Sequence, residues 1–145
     1  MPAYTISNDP TRLNFDVIYN FISGSYWAKG IPRETMARAI DNSLCFGVYC
    51  EATELVGFAR VITDKATFAY LADVFILEQH RGQGLSKQLV DAVVNHPELQ
   101  GLRRIMLATK DAHGLYAQFG FAAVEDPSIL MQICHPDIYL NQQSR

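Results

Sequence analysis

The residues best placed to do chemistry are concentrated between Val74 and Lys87. There Val74-Phe75-Ile76-Leu77-Glu78-Gln79-His80-Arg81 leads into Gly82-Gln83-Gly84, and Leu85-Ser86-Lys87 follows. An apolar run ends in two glycines one residue apart, and a helical pattern starts at once. Glycine tolerates positive φ and lets a ligand approach the backbone closely. Free amides at the start of a helix, together with the positive end of its dipole, suit a pyrophosphate. Arg81 and Lys87 add positive charge, and Ser86 adds a hydroxyl. Two phosphate motifs are excluded, because there is no GxxxxGK[ST] and no third glycine of a dinucleotide fingerprint. The remaining pattern is Q/R-x-x-G-x-G/A, as Gln79-His80-Arg81-Gly82-Gln83-Gly84. An ordinary tight strand–helix connection would use the same glycines, so the turn alone names a class of ligand and no more.

The flanking elements must hold that turn. Tyr4-Thr5-Ile6 reads as a short strand, and Asn14 as the cap of a helix with Phe15, Ile18, Phe21 and Ile22 on its apolar face. Ser23 to Gly30 is rich in glycine and serine yet carries Tyr26 and Trp27, and Pro32 suits the first turn of a second helix facing inward through Met36, Ala39 and Ile40. Leu44–Cys50, Leu55–Ile62 and Phe68–Leu77 form three strands of an antiparallel meander. Leu85, Leu89 and Val93 mark a helix that His96-Pro97 stops. Arg104–Ala108 is then a strand parallel to the one before the helix, because the helix is the crossover. A short helix holding Leu115, Tyr116 and Phe119 ends at Gly120, with Asp111 or His113 as its cap, and two short strands close the chain. His80 is expected to pack or face solvent. The expected architecture is a single α+β domain over residues 1–145, with a mixed, mostly antiparallel sheet and a central βαβ unit.

Composition narrows the partners. The chain has 145 residues, 49% of them hydrophobic, with a net charge of −3, so a full core is available and a phosphate-backbone binder is disfavoured. No apolar run approaches the ~20 residues that cross a bilayer, and Met1-Pro2-Ala3-Tyr4-Thr5 does not read as a signal peptide. Cys45, Cys50 and Cys134 lack metal-ligand spacing and read as small core residues in a reducing compartment. A cytoplasmic protein, free of metal, nucleic acid and membrane, is the expectation.

With Asp73-Val74-Phe75-Ile76 before the glycine turn, Ile105-Met106-Leu107-Ala108 downstream, and then Leu115-Tyr116-Ala117-Gln118-Phe119-Gly120-Phe121, the chain resembles the GCN5-related N-acetyltransferase (GNAT) family. The match covers roughly residues 68 to 121. Two departures stand out: Leu77-Glu78 where the family often has Pro or Asp, and Thr109 where it often has Asn.

The resemblance implies an acyl-CoA N-acyltransferase fold in which acetyl-CoA lies between two splayed parallel strands. Backbone groups of Val74, Phe75 and Ile76 would pair with the pantetheine arm, one of their amides would stabilise an oxyanion, and the pyrophosphate would sit over Arg81 to Lys87. Gln79, Thr109 and Phe119 complete the cofactor's implied surroundings. Tyr116 matches the family's acid for the coenzyme A sulfur; with an ordinary pKa of about 10 it is protonated at neutral pH. The competing reading is a core aromatic. Asp73 would orient or deprotonate the amine, or else bond within the sheet. Tyr26 and Trp27 lie where the family's acceptor enters: the indole either stacks on the acceptor or anchors the loop. The implied function is direct acetyl transfer to the amine of a small molecule or an exposed amino group by a monomer or homodimer. A non-catalytic acyl-CoA sensor is the alternative.

Overall fold

The computed structural model describes residues 2–143. Five strands, β1 (Tyr4–Ser7), β2 (Leu44–Cys50), β3 (Glu54–Thr63), β4 (Phe68–Ile76) and β5 (Arg104–Met106), form one sheet in that order. The first four are antiparallel neighbours, and β5 pairs with β4 in parallel. The helices are α1 (Phe15–Ile22), α2 (Arg33–Asp41), α3 (Leu85–Val94), α4 (His113–Ala117) and α5 (Ile138–Gln143). This is the mixed α+β architecture expected from the periodicities.

Local chemistry explains the helix starts. The Asn14 side chain accepts from the Val17 amide, as a cap should, while Ile18 and Ile22 of α1 are buried. Pro32, at φ −65°, stands just before α2 rather than inside its first turn. The Asp111 and His113 side chains do not cap α4; the Thr109 hydroxyl accepts from the Ala112 amide ahead of it instead.

Alternation along the strands divides the apolar residues into two layers. Phe46, Val48 and Val61 pack with Leu85, Leu89 and Val93 of α3 on one face, whereas Cys45, Tyr49 and Phe58 pack with Ile18 and Ile22 of α1 on the other. In β4 the alternation breaks. Phe58 pairs with Phe75 but Arg60 pairs with Ala72, so Asp73 and Val74 together oppose Ala59. Asp73 takes the left-handed conformation at φ 56°, which Asp tolerates better than a branched residue. Such a bulge inverts the facing of everything that follows it. Ala69 and Leu71 face the α3 layer before it; after it Ile76 faces that layer, and Phe75 turns to stack on Phe21 of α1 at 4.1 Å between centroids.

The bulge is tied down by charge. Arg60 Nε donates to Asp73 Oδ2 at 2.7 Å, and Trp27 Nε1 donates to Oδ1 at 2.7 Å. The Arg60 and Asp73 side chains are only 16% and 5% exposed, so each charge depends on the other.

Three expectations need correction. No closing pair of strands forms among the described residues. After Phe121 the Asp126 carboxylate accepts from the Ser128 amide and closes a 3-10 turn at Pro127–Ile129, in place of the tight hairpin turn that would bring two runs together. Cys134 is exposed on this segment rather than in the core, while Cys45 and Cys50 are buried. Burial pushes the Cys45 thiol up to about 12, which removes it from thiolate chemistry. The last strand also ends at Met106, two residues short of Ala108.

Replacing Asp73 with Ala leaves the Arg60 guanidinium buried and unpaired. Urea unfolding is expected to show a loss of about 3–5 kcal/mol. Trp27 is the sole tryptophan, so its emission should report the released indole directly.

Candidate active site

The pairing of β4 with β5 runs only from Phe68 opposite Arg104 to Tyr70 opposite Met106, although β4 continues to Ile76. Beyond Tyr70 the two parallel strands separate. The backbone of Leu71 to Ile76 therefore has no strand on its β5 side, and its peptide groups there are open for a ligand's amides. Phe75 and Ile76 are buried in opposite layers, and the Leu77 amide donates to the Val56 carbonyl, so this backbone is held from both faces. Val74 is half-buried.

The glycine turn follows a 3-10 turn at Glu78–His80. Gly82 and Gly84 adopt φ 81° and 76°, and a side-chain carbon at either would meet no atom within 4 Å. Both glycines therefore serve conformation and leave open space above the backbone. The Gly84 carbonyl accepts from the Gln88 amide and begins α3. Among the described residues, the backbone amides from Gly82 to Lys87 have no acceptor in the chain. These are the unmatched donors of a helix start, extended backwards by the turn.

A cavity of about 320 Å³ lies over them, lined by Ile76, His80, Arg81, Gly82, Gly84, Leu85, Ser86, Lys87 and Leu115. Arg81 Nε donates to the Ile76 carbonyl at 2.9 Å, which ties the turn to the end of β4. Leu85 buries its side chain and offers only its amide. Gln79 and Gln83 are exposed and do not line the cavity. A second cavity of about 350 Å³, between α1 and α2, is lined mainly by apolar side chains such as Leu13, Phe15 and Ile40.

Tyr116 on α4 is 8% exposed, its ring edge-on to Phe121 at 5.7 Å. Burial raises its pKa above the ordinary tyrosine value, since the phenolate would lose hydration. Its hydroxyl bonds to no described residue. Phe119 is half-buried against the α3 layer. Thr109 uses its oxygen on the Ala112 amide and keeps its O–H to donate.

Across the gap, Trp27 is both anchored and open: its indole N–H is on Asp73, yet the residue is 43% exposed. Tyr26 is 62% exposed, edge-on to Trp27 at 5.1 Å, and Lys110 Nζ sits 4.1 Å over its ring. Lys110 follows β5, so this contact spans the α1–α2 loop and the β5 side. His80 packs edge-on against Tyr4 and shares a 2.9 Å hydrogen bond with its hydroxyl.

Two participants escaped the sequence reading: Arg60 and Lys110. Arg60 carried a usable signal, because it and Asp73 are the single charges within the apolar runs Leu55–Ile62 and Phe68–Leu77, and lone buried charges need partners. Lys110 carried none, since its contact with Tyr26 depends on the placement of distant loops. Among the described residues no group of three or more His, Cys, Asp or Glu is arranged to hold a metal, and no helix is long and apolar enough to cross a membrane.

Comparison with known proteins agrees with this geometry. A chain from Xanthomonas campestris pv. campestris assigned to the GNAT acetyltransferases is 52% identical, with a TM-score of 0.91 over 96% of this chain and 98% of that one. A Gibberella zeae protein assigned to the acetyltransferases is 34% identical over 137 residues, spanning 79% of this chain and 76% of its own length. A predicted acetyltransferase from Clostridium acetobutylicum, solved with acetyl-CoA, shares the fold at a TM-score of 0.63 and 14% identity, over 92% of this chain and 96% of that one. None of these relatives supports the sensor reading. The acetyltransferase (GNAT) family pattern itself matches residues 14–121, and with the splayed strands and the amide-lined turn in place, this chain belongs to that family.

Proposed function

We propose that the protein transfers the acetyl group of acetyl-CoA directly to an amine of a small molecule or to an exposed amino group. The observation that carries this reading is the run of unmatched amides from Gly82 to Lys87, set at the end of a strand that has lost its parallel neighbour. Acetyl-CoA supplies an activated thioester, and every other requirement falls to the chain.

The amides of Gly82 to Lys87, with Ser86 and Lys87 beside them, bind pyrophosphate oxygens by hydrogen bonds and the helix dipole. The open edge of β4 at Val74 to Ile76 pairs with the pantetheine amides and fixes the thioester. An amide of the same stretch donates to the carbonyl oxygen as negative charge develops there. Position accounts for much of the acceleration, because a bound amine and thioester react as one molecule.

Tyr116 donates its proton to the departing sulfur. A buried phenol with a raised pKa stays protonated across the working range, as an acid must. Asp73 acts by position. Both its oxygens already accept hydrogen bonds, so it holds Trp27 and the strand bulge in place, and the attacking amine loses its proton to water or arrives neutral. Tyr26 and Trp27 offer the acceptor an aromatic surface.

Gly84→Ala introduces strain of about 1 kcal/mol at positive φ and a methyl over the amide row. Calorimetry with acetyl-CoA is expected to show at least about a tenfold loss of affinity; unchanged affinity would remove the phosphate-turn reading. Tyr116→Phe should reduce kcat by about 10²-fold or more, with acetyl-CoA affinity unaltered, when thiol release is followed against a panel of amines. Equal turnover in this variant would discard Tyr116 as the acid.

The pH profile separates the two proton steps. Since the folded-state pKa of Tyr116 is raised, its proton is fully present below about pH 10 and is lost only above the ordinary tyrosine value. Between pH 7 and 9, kcat/KM for an alkyl amine of pKa ~10 should climb about tenfold per unit as free amine accumulates. An alkaline decline below pH 10 in the wild type that disappears in Tyr116→Phe would contradict the burial-raised pKa of Tyr116.

A further inference from the structure

Lys110 is a charge to which the proposed chemistry gives no task. Its ammonium stands 4.1 Å over the Tyr26 ring, and Tyr26 stands edge-on to Trp27 at 5.1 Å. Trp27 is tied in turn to Asp73, which directly precedes the stretch of β4 proposed to hold the thioester. The ammonium and the aromatic pair therefore border one mouth. Among the described residues, the Lys110 side chain has no carboxylate within ion-pair distance and donates no hydrogen bond. An ammonium carries three donors, and all three are open to a ligand here. An exposed cation–π contact is weak, so it holds Lys110 over the ring without exhausting its charge.

The charges around this mouth favour an anion. The loop from Ser23 to Gly30 has one charge, Lys29, and the residues between Met106 and α4 have two, Lys110 and Asp111. Asp73 touches the aromatic pair, but the Arg60 guanidinium on its other oxygen cancels it, and its side chain is only 5% exposed. Exposed aromatic rings ordinarily attract cations. Here the chain supplies that cation itself, and a second ammonium beside Lys110 meets like-charge repulsion. A carboxylate meets open donors instead.

The rings decide the rest of the molecule. Trp27 has spent its N–H on Asp73, so its exposed part offers carbon surface, and the exposed Tyr26 ring adds to it. Such a surface suits an apolar or aromatic group.

We infer that the acceptor is a small amine bearing a carboxylate and an apolar body, of the class of aromatic α-amino acids, and that Lys110 selects it by pairing with the carboxylate. This inference rests on the acetyl-transfer reading and adds the acceptor's class to it. The amine nitrogen forms the amide bond as the thioester C–S bond breaks. One nitrogen proton goes to solvent, coenzyme A leaves as its thiol, and the carboxylate is unchanged.

The test follows thiol release from acetyl-CoA with phenylalanine, phenylalaninamide, phenethylamine, glycine and spermidine, each rate expressed per free amine. In the wild type, kcat/KM for phenylalanine should exceed that for each of the others by at least about tenfold. Against the amide and phenethylamine the difference should lie chiefly in KM and shrink in 0.5 M sodium chloride, since salt screens an exposed pair. Lys110→Met should bring the ratio of phenylalanine to its amide within about twofold of one. Lys110→Arg keeps the charge and should keep the preference, with circular dichroism confirming that both variants fold. A lysine that merely steadied the loop would slow all five amines alike on removal and leave the ratio standing.

No thiol release with any amine removes the acetyl-transfer reading, and this inference falls with it. Release that ignores the carboxylate or the ring, or that is fastest with spermidine, overturns the acceptor class alone. A Lys110→Met enzyme that retains the preference overturns it as well, because the selecting charge then lies elsewhere.

Discussion

The carboxylate of Asp73, clasped by Arg60 on one oxygen and Trp27 on the other, sits at the point where β4 changes its facing. Before the bulge, β4 is an ordinary inner strand with β5 as a parallel neighbour. After it, Phe75 and Ile76 are locked into opposite layers and stay paired with β3, while no β5 residue stands opposite them. An unpaired peptide edge in the middle of a protein is unstable unless its side chains hold the backbone still, and here both layers do so. The open edge, the loop carrying the aromatic residues and the direction of the glycine turn all depend on that short interruption.

In the proposed reading, the glycine turn converts the same geometry into an anion site. Arg81 spends one donor on the Ile76 carbonyl instead of pointing wholly at solvent, and so fixes the turn to the strand end. With the backbone held, amides supply donors whose positions do not fluctuate as long side chains do. Tyr116 enters from α4 on a helix of five residues, kept in place by Phe121 and the α3 layer. In the proposed role of acid it needs no charged neighbour, because burial alone keeps its proton on.

The Asp73–Arg60 pair also limits what the site can do. A carboxylate engaged by two donors is a poor base, because both bonds favour its charged form. The proposed chemistry therefore rests on placement and on one donor, as a direct acyl transfer without a covalent intermediate requires. In the proposed reading the exposed Tyr26–Trp27 pair, with the Lys110 ammonium over Tyr26, borders the acceptor's entry without dictating a single acceptor.

Much of this was legible in one dimension because it depends on local periodicity. Alternation in Leu44–Cys50 and Leu55–Ile62, the Asn14 cap, and Gly82-Gln83-Gly84 before Leu85, Leu89 and Val93 each encode a structure that neighbouring residues enforce. The glycine turn and Tyr116-to-Phe121 together identified the family for the same reason: both are short stretches whose backbone chemistry requires those residue types. Tertiary structure alone decided the rest. The partner of Asp73 came from another strand, Lys110 met Tyr26 across a gap, and the anticipated closing pair of strands gave way to an exposed segment with a 3-10 turn at Pro127–Ile129. Spacing along a chain specifies how a strand alternates but not which edge it will meet, since that choice is made by surfaces distant in sequence.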